Sequence, residues 1–88
     1  MVTKQEFWGG IEYINENGNL HREDGPAVEW KNGNKSWYIN GLLHKEDGPA
    51  IDWYDGVFKR YYLNDIMYSK EDWENELLKL RLKRLKEL

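Results

Sequence analysis

A segment of eleven residues occurs twice in this chain, and the repeat constrains the fold more than any other feature does. The sequence LHREDGPAVEW at residues 20–30 returns 23 residues later as LHKEDGPAIDW at residues 43–53. Every difference between the two copies keeps the size and charge of the side chain: Arg and Lys, Val and Ile, Glu and Asp. A fixed period of this length is typical of repeat architectures, in which each unit completes its core against its neighbour.

Turn signals divide each repeat into two strands. Asn32-Gly33 and Asp55-Gly56 separate apolar-aromatic runs, and such pairs favour tight hairpins because the central residues need positive φ. A second set of turn signals, Asn17-Gly18, Asn40-Gly41 and Asn64-Asp65, recurs at nearly the same period. Each unit therefore reads as a strand, a tight turn and a returning strand, and Asn64-Asp65 begins a third, incomplete unit.

A helix is predicted at the C-terminal end. Ser69 is a favourable N-cap residue, and Asp72 stands at the N3 position of a capping box. Tyr68 and Trp73 have the spacing of a hydrophobic staple, and no Gly or Pro follows them. We therefore predict a helix over about 69–88, which caps the open end of the repeats.

These signals predict a mainly β protein with a C-terminal α-helix, which is an α+β fold. We expect an antiparallel β-meander built from two to three hairpin repeats within residues 11–68, with residues 11–14 as the first strand. A chain of 88 residues corresponds to a single domain, here 1–88.

Composition excludes several classes of protein. The chain has no cysteine, so it forms no disulfide and no thiolate or cysteine-ligated zinc site, and this fits a reducing cytosol. It has no apolar run near the ~18 residues that a membrane span needs, and no apolar signal-peptide segment at its start. We therefore expect a cytoplasmic protein without a membrane partner.

Strand alternation predicts two different faces of the sheet. One face is expected to form the core from Val28, Trp30, Trp37, Ile39, Ile51, Trp53, Tyr61 and Leu63. The opposite face then carries tyrosines and carboxylates, and we predict it as a partner-binding surface: Glu29, Tyr38, Asp52, Tyr54 and Tyr62.

The predicted helix has a wider apolar arc than a cap requires. Trp73 and Leu77 fall in one group, with Leu80 and Leu88, and would pack on the sheet. Leu78, Leu82 and Leu85 form an adjoining group. Two interpretations remain open for this second group: half-exposed leucines in fraying last turns, or a binding surface for a second copy or another protein.

The two histidines are candidates for chemistry. His21 and His44 each precede two carboxylates, and imidazole with carboxylate is a common metal-ligand set. The stronger interpretation is structural, because a group that recurs in every unit usually holds the turn of that unit. The chain also has no nucleophile elbow and no glycine-rich phosphate loop. We therefore predict neither a catalytic residue nor a metal or cofactor, and no enzyme activity.

Charge is divided between the body and the C-terminal end. Residues 1–76 hold 8 Lys/Arg and 15 Asp/Glu, a net charge of −7, whereas residues 77–88 hold five cations and one carboxylate, a net +4. The basic end would meet phosphates, but the acidic body would repel a nucleic acid, so direct nucleic-acid binding is disfavoured. A basic protein surface, such as the nucleic-acid channel of a nuclease, suits the body better.

The repeated HREDGPA and HKEDGPA blocks, followed by Trp, an Asn/Asp-Gly turn and WYING, resemble the short MORN-like repeat proteins of bacteriophages and giant viruses. The resemblance covers about residues 11–68 and extends to the helix that begins at Ser69. It departs from the family at Asp65, where Gly is usual, and near Val57, where one extra residue stands in place of a regular repeat.

The resemblance implies a stacked antiparallel meander and an interaction role, with no catalytic residues. It further implies a phage-type inhibitor or modulator of a host protein in the host cytoplasm, for example a defence or CRISPR nuclease. The alternatives are a self-assembling scaffold module, including a homodimer through the helix, and a metal-binding or nucleic-acid-binding module.

Overall fold

The computed structural model describes residues 1–87, which form nine strands and one α-helix. The helix, α1, spans Lys70–Lys86. The strands follow in chain order: β1 Thr3–Phe7, β2 Gly10–Ile14, β3 Val28–Trp30, β4 Lys35–Ser36, β5 Tyr38–Ile39, β6 Leu42–Leu43, β7 Ile51–Asp52, β8 Lys59–Leu63 and β9 Ile66–Tyr68.

The strands form an antiparallel, meander-like sheet. Seven of them lie in the order β1-β2-β3-β4-β7-β8-β9, while β5 and β6 pair as a separate hairpin. The prediction of a mainly antiparallel β protein with a C-terminal helix is therefore confirmed. Strand β1 was not predicted, and it pairs along its whole length with β2, from Thr3 opposite Ile14 to Phe7 opposite Gly10.

The sequence repeat is also a repeat of backbone hydrogen bonds. The Gly41 N–H donates to the Leu20 carbonyl at 2.7 Å, and the Asp65 N–H donates to the Leu43 carbonyl at 2.8 Å. Both two-residue turns have positive φ, with values of 51° and 81° at Asn40 and Gly41. Such values define the primed hairpin turn that Asn-Gly favours, so the predicted turn chemistry is found here.

The extra residue near Val57 lies in a turn. The Trp30 N–H reaches the Asn34 carbonyl across three residues, whereas the Trp53 N–H reaches the Phe58 carbonyl across four. The longer turn is held by Asp55, whose carboxylate accepts the N–H groups of residues 57 and 58. These bonds lower the pKa of the Asp55 carboxyl. The second repeat therefore accommodates its insertion outside the strands.

Helix α1 begins where the sequence indicates. The Ser69 Oγ accepts the Asp72 N–H at 3.1 Å, so the predicted N-cap is confirmed. Trp73 and Leu77 are buried with Leu63 in one cluster, and Tyr68 packs against it. The helix therefore covers the last strands of the sheet. The predicted range of 69–88 also included Leu88, which lies outside the described residues.

The prediction that eight side chains share one core face is wrong. Val28 pairs with Ser36, so the neighbouring Trp37 lies on the other side of the sheet. Ile51 pairs with Arg60, and this places Tyr61 on the side of Trp37. The pattern of large residues predicted a continuous face, but the strand pairing places Trp37 and Tyr61 on the side opposite Val28 and Ile51.

We call the side of the sheet that carries Trp30 and Trp53 the aromatic face, and the opposite side the loop face. The loop face buries Ala27 and Ala50 completely, and each of them directly follows a Glu-Asp-Gly-Pro loop. Helix α1 packs on the same side, through Tyr61 and Leu63. The structure measures only 17 Å along its shortest axis, which fits a sheet with one covering layer.

Candidate partner-binding surfaces

The two histidines link each repeat to the next one. The Asn40 N–H donates to Nδ1 of His21 at 2.8 Å, and the Asn64 N–H donates to Nδ1 of His44 at 2.9 Å. A neutral ring that accepts at Nδ1 carries its proton on Nε2, and this nitrogen of His44 lies 2.7 Å from Glu46. Each histidine thus holds the turn of the following unit.

Cations of the repeated loops cover the aromatic residues of the loop face. The Arg22 guanidinium lies 4.1 Å from the centroid of the Tyr13 ring, and Lys45 Nζ lies 3.7 Å from the Trp37 ring. Twenty-four residues after Trp37, Tyr61 is covered by Trp73 of the helix instead, with 5.1 Å between ring centroids. The helix therefore takes the place of a third loop.

Glu46 attaches the end of the helix to the second loop. Both carboxylate oxygens accept from Arg84, at 2.6 and 2.7 Å, and Arg81 donates to the Glu46 backbone carbonyl at 3.4 Å. The hydrogen bonds from Arg84, reinforced by His44, lower the pKa of the Glu46 carboxyl to about 2. Two of the five basic residues at the C-terminal end are thus directed at this protein's own loop.

The structure divides the predicted tyrosine and carboxylate surface into separate parts. Asp52 pairs with Lys59 in β8, so Tyr62, three residues further, projects from the other side of the sheet. Tyr54 lies in the turn after β7 and is largely exposed. The expectation that the five residues share one face is therefore wrong.

The carboxylates of that surface alternate with lysines. Glu29 pairs with Lys35, Lys35 with Asp52, and Asp52 with Lys59, in one row across four strands. Opposite charges in cross-strand positions stabilise the sheet and cancel each other at a distance. This row therefore has no net charge, and it is not the acidic surface that the sequence suggested.

Tyr38 and Tyr62 are both half-buried. Burial raises the pKa of the Tyr38 hydroxyl, with smaller contributions from Asp65 and from Tyr62. Both rings therefore offer a partner less surface than Tyr54, which is 71% exposed.

An aromatic row crosses the side of the sheet opposite the helix. Phe7 pairs with Gly10, and Gly10 pairs with Trp30. Beyond Asn34, which directly precedes β4, the row continues through Trp53 and Phe58, and the Trp53 N–H donates to the Phe58 carbonyl. We call the four aromatic residues Phe7, Trp30, Trp53 and Phe58 the aromatic row.

The rings of the aromatic row are held in place but remain accessible. Phe7 and Trp30 meet edge to face with 5.3 Å between centroids, and Trp53 and Phe58 lie 4.2 Å apart. The Arg60 guanidinium lies 4.0 Å from the Phe58 ring. Trp30 is nevertheless 42% exposed and Trp53 41% exposed. These values identify a surface, whereas the sequence pattern placed both tryptophans in the core.

Trp8 extends the row at the tip of the β1–β2 hairpin. Its side chain is 88% exposed. The neighbouring Gly9 lies against the rings of Phe7 and Trp30, because a Cβ there would come within 2.9 Å of Phe7 and 3.0 Å of Trp30. The Gly9 carbonyl also accepts the Lys31 N–H at 2.8 Å. A tight turn thus fixes an exposed tryptophan beside the row.

The predicted second leucine group is exposed in the structure. Leu78, Leu82 and Leu85 are 58%, 50% and 64% exposed, whereas Leu77 on the packed side of the helix is only 5% exposed. Their spacing of four and three residues places them on one line along the helix. We call these three residues the leucine seam.

A groove of about 840 Å³ lies between the two loops and the helix, but Arg22 pairs with Asp24 and Arg84 with Glu46 along it. Among residues 1–87 no group of three His, Cys, Asp or Glu side chains could hold a metal ion. In the same range no helix is long and apolar enough to cross a membrane.

The sequence signals for the two surfaces differ. The spacing of the leucine seam was visible because a helix keeps its period of 3.6 residues. The aromatic row was missed because Trp30 and Trp53 alternate with polar residues, a pattern that also describes a core strand. Only the presence of a covering layer on one side distinguishes the two cases.

No protein-family model matches this chain, and no curated protein or solved structure matches it either.

Proposed function

We propose that this chain is a non-catalytic protein-binding module that binds its target through the aromatic row. The observation that supports the proposal most directly is the partial exposure of Trp30 and Trp53 on a sheet face that neither the loops nor the helix covers. Uncovered aromatic surface on a small protein commonly marks an interaction site.

The residue types of the row suit a protein partner. Trp, Tyr and Arg dominate the binding energy of protein interfaces, and Arg60 lies over the Phe58 ring, which packs against Trp53. Trp30 and Trp53 have their rings packed against Phe7 and Phe58, so binding costs little side-chain entropy. Preorganised aromatic rings of this kind suit the centre of an interface.

The charge distribution favours a basic protein over a nucleic acid. Among the described residues, Arg60 is the cation that lies over a ring of the aromatic row, and Arg81 and Arg84 are directed at Glu46. The acidic body, with its net charge of −7 over residues 1–76, would repel phosphates and attract a positively charged surface.

The resemblance to MORN-like repeat proteins of phages extends the proposal to a class of target. We place the chain among inhibitors or modulators of host proteins, with a defence or CRISPR nuclease that has a basic channel as the target class. The acidic body supports this choice, since the channel of a nuclease is positively charged.

The test is a comparison of bound proteins between variants. The tagged chain is incubated with a bacterial lysate that contains phage-defence systems, and retained proteins are identified by mass spectrometry. A W8S/W53S variant should lose the target, with a loss of affinity of about tenfold or more in a titration with the purified partner, because exposed tryptophans are frequent hot spots.

Two controls separate binding from folding. W8S alone removes a side chain that is 88% exposed, so it should weaken binding without changing the unfolding midpoint. I66S, on the loop side of edge strand β9, should leave target binding unchanged. Full retention of the target by W8S/W53S would exclude the aromatic row as the binding surface. A target whose own activity is unaffected by the chain would exclude inhibition.

A further inference from the structure

The leucine seam is part of a longer line of residues on helix α1. Counting back from Leu78 by three and then four residues gives Asn75 and Glu71, so the same line continues towards the first turn. On a helix of 3.6 residues per turn, this line lies well away from Trp73 and Leu77, which face the sheet. The seam therefore faces away from the protein.

The helix is strongly polarised in charge. Its residues 70–77 hold one cation and four carboxylates, a net −3, whereas residues 78–86 hold five cations and no carboxylate, a net +5. Two such helices side by side in parallel would place like charges together. An antiparallel pair would place each acidic half beside a basic half and would also align the helix dipoles favourably.

We propose that the leucine seam binds the same seam of a second copy of this chain, with the two helices antiparallel. Centred between Leu78 and Leu82, the pairing sets Leu78 of one copy opposite Leu82 of the other, and Asn75 opposite Leu85 of the second copy. Asp72 then lies beside Lys86 of the second copy, on the same side of the seam, so the ends of the pair are complementary in charge. This association is independent of the aromatic row.

The dimer is expected to be weak. Three half-exposed leucines per copy bury less surface than the about 1,600 Å² of a standard interface. The expected dissociation constant is therefore about 10–100 µM, and it should rise with salt because opposite charges contribute.

Sedimentation equilibrium of the full chain, from about 5 to about 500 µM, tests the association. The mass should rise with concentration towards twice the 10.6 kDa of the chain. L82E should remain monomeric with unchanged helix content, and V57E, at an exposed apolar residue remote from the helix in sequence, should dimerise like the wild type. A wild type that is monomeric throughout, or an oligomer that survives L82E, would overturn the proposal. A monomeric wild type that loses its target upon L82E substitution would assign the seam to the target instead.

Charge reversal and cross-linking test the orientation. D72K and K86D should each raise the dissociation constant about tenfold, and the double variant should restore dimerisation, because the two residues lie on the same side of the seam in an antiparallel pair. The chain has no cysteine, so N75C and L85C can be introduced cleanly. A disulfide that forms only in the mixture of N75C and L85C supports the antiparallel arrangement. Disulfides within each variant alone would show a parallel pair and contradict it.

Discussion

Glu46 shows how the same residue can have different partners in two copies of one loop. Glu23 and Glu46 occupy the same position in the repeat, but Glu23 lies 3.9 Å from its histidine and is largely exposed, whereas Glu46 lies 2.7 Å from His44. Only Glu46 meets the fork of Arg84. A planar guanidinium that binds both carboxylate oxygens is a strong and directional partner. The second loop is thus specialised to hold the helix.

The first prediction concerns acid stability. The pKa of Glu46 lies at about 2 in the folded protein, below the ordinary 4.5, so its contribution is fully present above pH 4.5 and is lost as pH falls towards 2. E46Q should therefore be less stable than the wild type at neutral pH, and this difference should shrink between pH 4.5 and pH 2. Urea unfolding followed by tryptophan fluorescence measures it. E23Q is the matched control and should follow the wild type at every pH.

At the scale of elements, the sequence predicts the turns and the helix correctly, but it does not predict which side chains share a side of the sheet. Local backbone chemistry determines the turns at Asn32-Gly33 and Asn40-Gly41 and the helix cap at Ser69, so a few neighbouring residues are enough to predict them. The register of short strands depends on contacts between distant residues, and here Ala27 and Ala50 are fully buried on the side that the loops cover. The large aromatic residues Trp30 and Trp53 were predicted in the core but are partly exposed, whereas the small residues Ala27 and Ala50 are completely buried.

The same limit applies to the candidate site. The seam of Leu78, Leu82 and Leu85 was predicted because it depends on one helix alone. The aromatic row depends on pairing between strands that are far apart in the chain, such as Gly10 with Trp30. Its exposure further depends on the helix packing on the other side. Neither fact is contained in a local pattern.

A pair of neighbouring leucines tests the packing of the helix. L77A removes a side chain that is 5% exposed and lies against Leu63 and Trp73, so it should reduce the free energy of unfolding by about 2–4 kcal/mol. L78A removes a side chain that is 58% exposed and should change the free energy by about 0.5 kcal/mol or less in the monomer. Urea unfolding at low protein concentration compares them. Equal losses in both variants would contradict the observed orientation of the helix.

At the scale of the whole molecule, stability comes from stacking of equivalent units. The hydrogen bonds from Asn40 to His21 and from Asn64 to His44 join successive units in the same way. A thin structure of 43 × 32 × 17 Å has no deep centre, so each unit depends mainly on its neighbours. Such a molecule should accept an additional complete unit.

Duplication of one unit tests this property. A second copy of residues 21–43 inserted after Leu43 gives a chain of 111 residues, which is 88 plus 23. It should fold cooperatively, with a urea m-value larger by about a quarter, because m scales with the surface exposed on unfolding. Insertion of a half unit, residues 21–32, should disrupt folding, since it breaks the pairing of strands. Equal behaviour of the two insertions would argue against stacking of units.

The histidine bonds also determine where the array stops. Tyr68 occupies the position that His21 and His44 occupy in the earlier units, four residues after an asparagine turn. A phenol has no ring nitrogen that could accept the backbone N–H of a further turn, and Ser69 starts a helix at the next residue. The array of repeat units therefore ends at Tyr68, and a further unit could be added to this protein only before that residue.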